Sequence, residues 1–372
     1  MEGIFVSDEF DGGRIDSLQV INDTIVGLVV PEDTLVTNPS PWYAFKIWSN
    51  ETKSVLFRLT YPDSLVNRYE PFISQNGRDW SKANFYPSLE KQNRTIMGAE
   101  FELYDHITLM LETGPDTTWI AARPMATRQN VDDWMARLQQ SGTEVTERVA
   151  GNSLEGRPIP VLTIGDTSLS KAIVLLSRQH PPELTGYQGL LPFVETITKD
   201  DPLATAFREE VVTYVFPLVN PDGVANGNWR HSSGGTDLNR DWANRNQQEV
   251  QVVHNFVEKM ASQKKIYFMA DFHSTWKDIF YPMHPSEKGN MPGLVPAIIN
   301  QTYERLELGK PLVQPTCPDD TTTITSARYF FRKYGAESLT YEFGDSTDSL
   351  TINSKATTSA TVMMEFMLDR LK

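Results

Sequence analysis

A single cysteine, Cys317, stands in a chain of 372 residues, so no intramolecular disulfide can close and no metal site can be built on thiolates. Its expected place is a loop. Basic residues are also in deficit: 34 Lys and Arg against 48 Asp and Glu leave a net charge of -14. A surface of that sign disfavours nucleic acid and anionic membranes, which select basic patches, so neither is an expected partner. A small positive pocket inside an acidic protein stays compatible with that balance. No uninterrupted apolar run is long enough to span a bilayer, and no charged leader followed by an apolar segment opens the chain. Residues Ile4-Phe5-Val6 already read as a first strand, so a leader removed beforehand fits the sequence as well. A cytoplasmic location is the first expectation, and a mature extracytoplasmic form stays open.

What is present looks ordinary for a soluble globular protein: 40% hydrophobic and 22% charged residues. At this length two domains are expected, because single cores stop growing below it. Residues 1–125 alternate with period two, as in Tyr43, Phe45 and Ile47 against Ala44 and Lys46, with turns at Gly12-Gly13 and Asn76-Gly77. That pattern predicts an all-β sandwich domain over 1–125, with Trp42, Trp48 and Trp80 packed in its core. Residues 126–372 change texture. Asn130 is placed to cap a helix starting at Val131. Beyond it, strands at 172–176, 211–219, 266–272 and 339–343 alternate with helices at 185–199, 247–260, 294–308, 326–334 and 361–371. Several of these strands are continuous apolar runs, as expected when helices cover both faces. The fold class is therefore α/β, a mixed and largely parallel sheet flanked by helices, preceded by the β domain.

Four short stretches carry the chemistry: Gln179-His180-Pro181-Pro182-Glu183, Asn220-Pro221-Asp222-Gly223 running on to Asp237-Leu238-Asn239-Arg240, Asp271-Phe272-His273, and Tyr341-Glu342-Phe343. A catalytic zinc takes three imidazole or carboxylate ligands and an open fourth position. His180, Glu183 and His273 meet that demand, with Glu342 left over as proton carrier. All lie at or just past predicted strand ends, where open α/β sheets bind ligands. Taken alone, a His-x-x-Glu pair or an Asp-Phe-His stretch reads first as structural hydrogen bonding, and Glu342 as a strand-end carboxylate paired with a basic neighbour. His106, His231, His254 and His284 have no ligand spacing.

Residues 216–230, with 235–242 behind them, resemble the zinc carboxypeptidase family, and within it the cytosolic carboxypeptidase branch, whose known members trim glutamates from protein tails. The likeness includes residues 151–158 and reaches, more loosely, the N-terminal β domain that this branch carries. The resemblance implies one Zn2+ per chain on His180, Glu183 and His273, with Glu342 as general base and acid. It implies that Arg230 faces the carbonyl oxygen, that Asn239 and Arg240 bind the substrate's terminal carboxylate, and that Asp237 accepts the free ring N–H of His180. Arg328 matches, in a similar stretch, an arginine at the floor of the pocket for the terminal side chain. A basic floor favours terminal Glu or Asp; the plainer reading is a solvated helix arginine beside Arg332 and Lys333.

One departure stands out. The family usually places a tyrosine on a mobile loop upstream of the catalytic glutamate, and residues 318–323 here hold none. Tyr329, Tyr334 and Tyr341 read as helical, helical and strand-bound. The expected function is a zinc metallocarboxypeptidase, a hydrolase and protease acting on the C-terminal bond of peptides or protein tails. The alternatives are a zinc amide hydrolase or deacylase acting on N-acyl amino acids or cell-wall peptides, and an inactive module that binds tails.

Overall fold

The computed structural model describes residues 3–21, 24–29, 41–61, 67–89, 91–140, 142–320 and 322–371. The chain divides into two compact units. One comprises Met1–Thr127 with His180–Pro182 and Asp222–Gly235; the other comprises Arg128–Gln179, Glu183–Pro221 and Thr236–Lys372.

The described part of the first unit holds the strands β1 (Ile4–Ser7), β2 (Ser17–Ile21), β3 (Thr24–Leu28), β4 (Ala44–Ser49), β5 (Lys53–Thr60) and β6 (Phe72–Ser74). Then come β7 (Ser81–Lys82), β8 (Phe85–Pro87), β9 (Lys91–Ile96), β10 (Ala99–Tyr104), β11 (His106–Thr113) and β12 (Thr118–Ala121). They pair into two five-stranded sheets, β1-β4-β12-β6-β7 and β2-β3-β5-β11-β8, with β9 and β10 as a separate hairpin. Period-two patterning has its physical counterpart here: Val55, Phe57 and Leu59 of β5 and Ile107, Leu109 and Leu111 of β11 are buried, while their neighbours face outward. Phe45 of one sheet stacks on Phe57 of the other, ring centroids 4.5 Å apart, so the two inner faces share a core. Trp42 is buried and its indole donates to Gly12 O at 3.0 Å. Trp48 and Trp80 are only half-buried, and Trp48 stacks on Phe5 at the sheet edge.

In the second unit the elements are α1 (Arg128–Gln139), β13 (Val145–Asn152), β14 (Pro158–Ile164), β15 (Lys171–Ser177), α2 (Leu184–Ile197), α3 (Pro202–Glu210) and β16 (Val212–Phe216). After a short α4 (Pro221–Ala225), which belongs to the first unit from Asp222 on, the second unit continues with a 3-10 turn (Leu238–Arg240), α5 (Gln248–Ala261), β17 (Lys265–Thr275), β18 (Ile279–Pro282), α6 (Leu294–Arg305), α7 (Ser326–Tyr334), β19 (Glu337–Gly344) and α8 (Ser349–Leu371). One sheet runs β13-β14-β16-β15-β17-β19-β18. Its middle four strands are mutually parallel, and the pairs β13–β14, β14–β16 and β18–β19 are antiparallel. Ile173, Val174, Leu175 and Leu176 of β15 are all fully buried, which explains their unbroken apolar run. Val174 and Leu176 pack in the core with Val250 and Val253 of α5 and Phe330 of α7. On the opposite face Phe193 of α2 meets Phe272 of β17 edge to face.

Some elements differ from expectation. α1 begins at Arg128, so Asn130 lies inside its first turn and the residue before the helix is Thr127, a type favoured at that place. α8 begins at Ser349, a dozen residues earlier than its apolar stripe suggested. β13, whose residues are exposed or half-buried at the sheet edge, has no buried face to write an alternation into the sequence. Cys317 lies exposed outside any helix or strand. The parallel strands β15, β17 and β19 finish at Ser177, Thr275 and Gly344 on one rim of the sheet; His180 follows the end of β15, whereas His273, expected just past its strand, lies with Glu342 inside the last rungs of the ladder, because β17 runs on to Thr275.

Candidate metal centre

Where β15 leaves the sheet, Arg178 takes a φ of +57°, a left-handed conformation uncommon for a residue with a side chain. Its guanidinium is buried over the Tyr187 ring, and burial brings its pKa down to about 10. Hydrogen bonds hold the turn. Val219 N donates to Ser177 O, Asn220 N to Arg178 O, and Asn220 Nδ2 to Gln179 O, at 3.1, 3.0 and 3.0 Å. The asparagine of the Asn-Pro-Asp-Gly motif is thus a clamp on the segment that leads into His180.

Glu183 stands just before α2, and its Oε2 accepts from Ser274 N at 3.1 Å. The same oxygen is 2.7 Å from His273 Nδ1. His180, Glu183 and His273 each bring a ligand atom to within 4.8 Å of the others. Two buried imidazoles and one half-buried carboxylate with ligand atoms this close together are the donor set of catalytic zinc, an ion that keeps its fourth position for water or substrate. Among the described residues no other His, Cys, Asp or Glu group has this arrangement, and His106, His231, His254 and His284 do not join it.

The second nitrogen of His273 is held as well. Nε2 lies 2.9 Å from Oδ2 of Asp271, which is completely buried and two residues earlier on the same face of β17. That oxygen also accepts from Gln179 Nε2 and from Ser326 Oγ at the start of α7. Gln179 Oε1 in turn accepts from Trp242 Nε1 at 2.9 Å. A carboxylate on one ring nitrogen fixes the tautomer and leaves the other nitrogen for a metal. Burial by itself pushes the His273 imidazole down, but the charges and hydrogen bonds of Asp271 and Glu183 outweigh it and hold the ring well above the usual histidine range.

Helix α2 approaches this strand without side-chain clearance. A Cβ on Gly186 would lie 2.4 Å from His273 O, and Gly186 N and Thr185 Oγ1 both donate to Ser274 Oγ at 2.8 Å. Glu342 occupies the next strand. In the ladder it is the partner of His273 on one side and of Ile279 on the other, and partnered residues send their side chains to the same face. Tyr281, two residues past Ile279, shares that face; burial and the Glu342 charge raise its phenol.

The remaining residues singled out in the sequence take different surroundings. Asp237 caps the 3-10 turn, its Oδ1 accepting from Asn239 N at 2.8 Å. Asn239 is buried; its Oδ1 accepts from Ser326 N at 2.8 Å and its Nδ2 lies 3.3 Å from His273 Nε2. Arg240 is exposed, and Nη1 donates to Asn239 O. Arg328, expected on the plainer reading to be solvated, is instead 2% exposed near the start of α7. Its Nη2 donates to Pro318 O at 2.6 Å, and no carboxylate pairs with it among the described residues. Arg230 is half-buried on the segment after α4, within the first unit. Of the 318–323 stretch, residue 321 lies outside the described residues; Pro318 O and Asp320 O accept from Arg332. Tyr329 and Tyr334 lie in α7 and Tyr341 in β19.

Asp271 and Gln179 stand inside the sequence motifs without an expected role, and Arg178 lies just outside them. The Asp-x-His spacing on a predicted strand was the available signal, since residues two apart share a face. Nothing local announces that Gln179 and Ser326 meet the same carboxylate.

Residues 131–366 match the zinc carboxypeptidase model of peptidase family M14. Cytosolic carboxypeptidase 2 of Danio rerio is 25% identical over 288 residues, which covers 71% of this chain and 40% of that protein. Its Xenopus tropicalis namesake is 32% identical over 290 residues, covering 71% and 30%. The chain therefore spans two fifths or less of the length of these relatives. Among solved structures, a metallo-carboxypeptidase from Burkholderia cenocepacia superposes with a TM-score of 0.78 over 100% of both chains at 19% identity. One from Pseudomonas aeruginosa, in complex with (2-guanidinoethylmercapto)succinic acid, gives 0.74 over 99% of this chain and 100% of its own, again at 19% identity. At such identities the likeness concerns the fold, and it covers the β-rich part as well as the α/β part.

Proposed function

The chain belongs to the zinc carboxypeptidase family, and from that premise we propose that it is a zinc-dependent metallocarboxypeptidase that hydrolyses the last peptide bond of peptides or protein tails, with a preference for terminal glutamate. The observation that supports the hydrolytic reading is the register of β17 with β19, in which Glu342, a residue outside the ligand set, is the ladder partner of His273.

Zinc on His180, Glu183 and His273 would supply a Lewis acid that polarises the scissile carbonyl and lowers the pKa of water to about 7. The chain's own side chains do the rest. Glu342 takes a proton from the attacking water on its carboxylate and returns it to the departing amine nitrogen. Arg230 offers a fixed cation to the carbonyl oxygen as negative charge develops there. The exposed guanidinium of Arg240, with Asn239 beside it, binds the free carboxylate of the last residue through two parallel N–H bonds. Asp271 orients the ring of His273, and Asp237 does the same for His180.

The acidic preference rests on Arg328. A buried guanidinium whose described partner is a carbonyl oxygen is left short of charge compensation, and a terminal Glu side chain would supply it where Leu would not. The relatives named above are cytosolic carboxypeptidases, which favours the cytoplasm as the place of action. Zinc-loaded protein should release the last residue from a peptide ending in Glu faster than from otherwise identical peptides ending in Leu or Lys. Turnover of N-acyl amino acids without turnover of any peptide would replace this reading by a deacylase.

A further inference from the structure

Helix α8 buries a lysine. Lys355 is 1% exposed, on a helix face otherwise made of residues such as Ile352, Ala356, Val362 and Met363. Its ammonium lies 4.9 Å from the ring centre of Tyr303, 5.5 Å from that of Phe343 and 5.7 Å from that of Phe280, a cage of three aromatic faces. It donates to Tyr303 Oη at 3.0 Å and to Asp278 Oδ2 at 2.6 Å.

The other oxygen of Asp278 points to the catalytic strand. Oδ1 accepts from Gly344 N at 2.7 Å and from Thr347 Oγ1 at 2.9 Å. Gly344 is two residues past Glu342, and the next amide, Asp345 N, donates to Thr275 O at 2.7 Å. Residues 276–278 are the turn that joins β17, which carries His273, to β18, which pairs with Glu342 through Ile279. The turn therefore wraps the end of β19, and one carboxylate fastens it there. Contact is close enough that a Cβ on Gly344 would meet Thr347 Oγ1 at 2.9 Å and Lys277 Cα at 3.1 Å.

We propose that Lys355 and Asp278 form a positioning pair for the catalytic base: the buried ammonium fixes the Asp278 carboxylate, which fixes the backbone just beyond Glu342 and so its carboxylate relative to His273. A buried ion pair is a weak source of stability, because removing two charges from water offsets most of their attraction, and well-packed apolar residues often do as well. What such a pair supplies, and apolar packing does not, is direction. Each oxygen of Asp278 has assigned donors, so the turn has one seating on the strand. Direction matters here because a misplacement of about 1 Å at a reacting group costs on the order of a hundredfold in rate.

This inference rests on Glu342 acting as proposed above, and its test separates the two. Lys355→Met keeps the apolar stem in its aromatic cage and removes the charge. Asp278→Asn keeps an acceptor for Gly344 N and turns the other end into a donor that faces the ammonium. Expected for either variant is a kcat at least tenfold lower with KM within twofold, unchanged zinc content, and faster hydrogen exchange at the Gly344 and Asp345 amides. The double variant should be no slower than the worse single one, as for two parts of one device. A kcat within twofold of wild type, even with a lowered Tm, would reduce the pair to a packing feature and overturn the proposal. If Lys355→Met does not fold, Asp278→Asn is read on the same terms. If the wild-type protein cleaves no peptide, the functional reading fails by itself, and unchanged exchange at Gly344 in both variants is then what overturns the pair.

Discussion

At Glu342 the ladder leaves little freedom: His273 is its partner on one side and Ile279 on the other. The side chain proposed to carry the proton is thus set by backbone pairing, so Glu342→Gln should keep the fold and the zinc and lose the proton transfer. Turnover is expected to fall by about 10^2 to 10^4, the usual worth of a positioned acid and base; a variant as fast as wild type would remove Glu342 from the chemistry. Arg328 makes a different demand, since its charge is buried beside a carbonyl oxygen alone among the described groups. In Arg328→Ala the advantage of a peptide ending in Glu over one ending in Leu should shrink by roughly 10- to 100-fold, matching about 1.5–3 kcal/mol for a charged hydrogen bond. An unchanged ratio of kcat/KM values would place glutamate recognition elsewhere.

Between elements, α2 fits closely on β17. Gly186→Ala would force a methyl to within 2.4 Å of the His273 carbonyl oxygen, and backbone cannot swing aside as a side chain can. The expected result is a loss of about 1–3 kcal/mol in unfolding free energy, as in overpacked cores, with weaker zinc binding. Denaturant titration and metal analysis would register both, and normal values for both would mean that helix and strand can separate at little cost. The same elements illustrate what the sequence alone makes legible. The α/β class is readable because burial on both faces writes an unbroken apolar run into β15 and nearly so into β16 and the first half of β17, while the convergence of His180, Glu183 and His273 is readable from the motifs that end or follow such strands. β13 writes none, being an edge strand with no buried side. The first half of α8 is rich in Ser, Thr and Asn, which argue locally against a helix, and packing overrides them. Beyond the Asp-x-His spacing, the Asp271 network is illegible for another reason: it brings Gln179 and Ser326, each more than fifty residues away, to one carboxylate, and hydrogen bonds of that range have no local pattern.

For the molecule as a whole, the metal and the proton compete for one imidazole. In the metal-free protein the His273 pKa is raised above the ordinary value of about 6.5. Its protonation therefore favours the folded state fully below that value, and the contribution is lost as pH rises through the raised pKa. Zinc takes the ring deprotonated, so uptake should release protons and weaken as pH falls. The difference in Tm between zinc-loaded and stripped protein should widen on going from roughly pH 6 to pH 8; a constant difference would contradict protonation at the ligand site. The most direct measurement is a zinc titration of the stripped protein, read as release of the last residue from a peptide ending in glutamate. Activity that rises in proportion to added zinc and levels off at one equivalent per chain is the predicted result. A trace that stays flat while the protein remains folded would contradict the metal centre and the hydrolysis assigned to it.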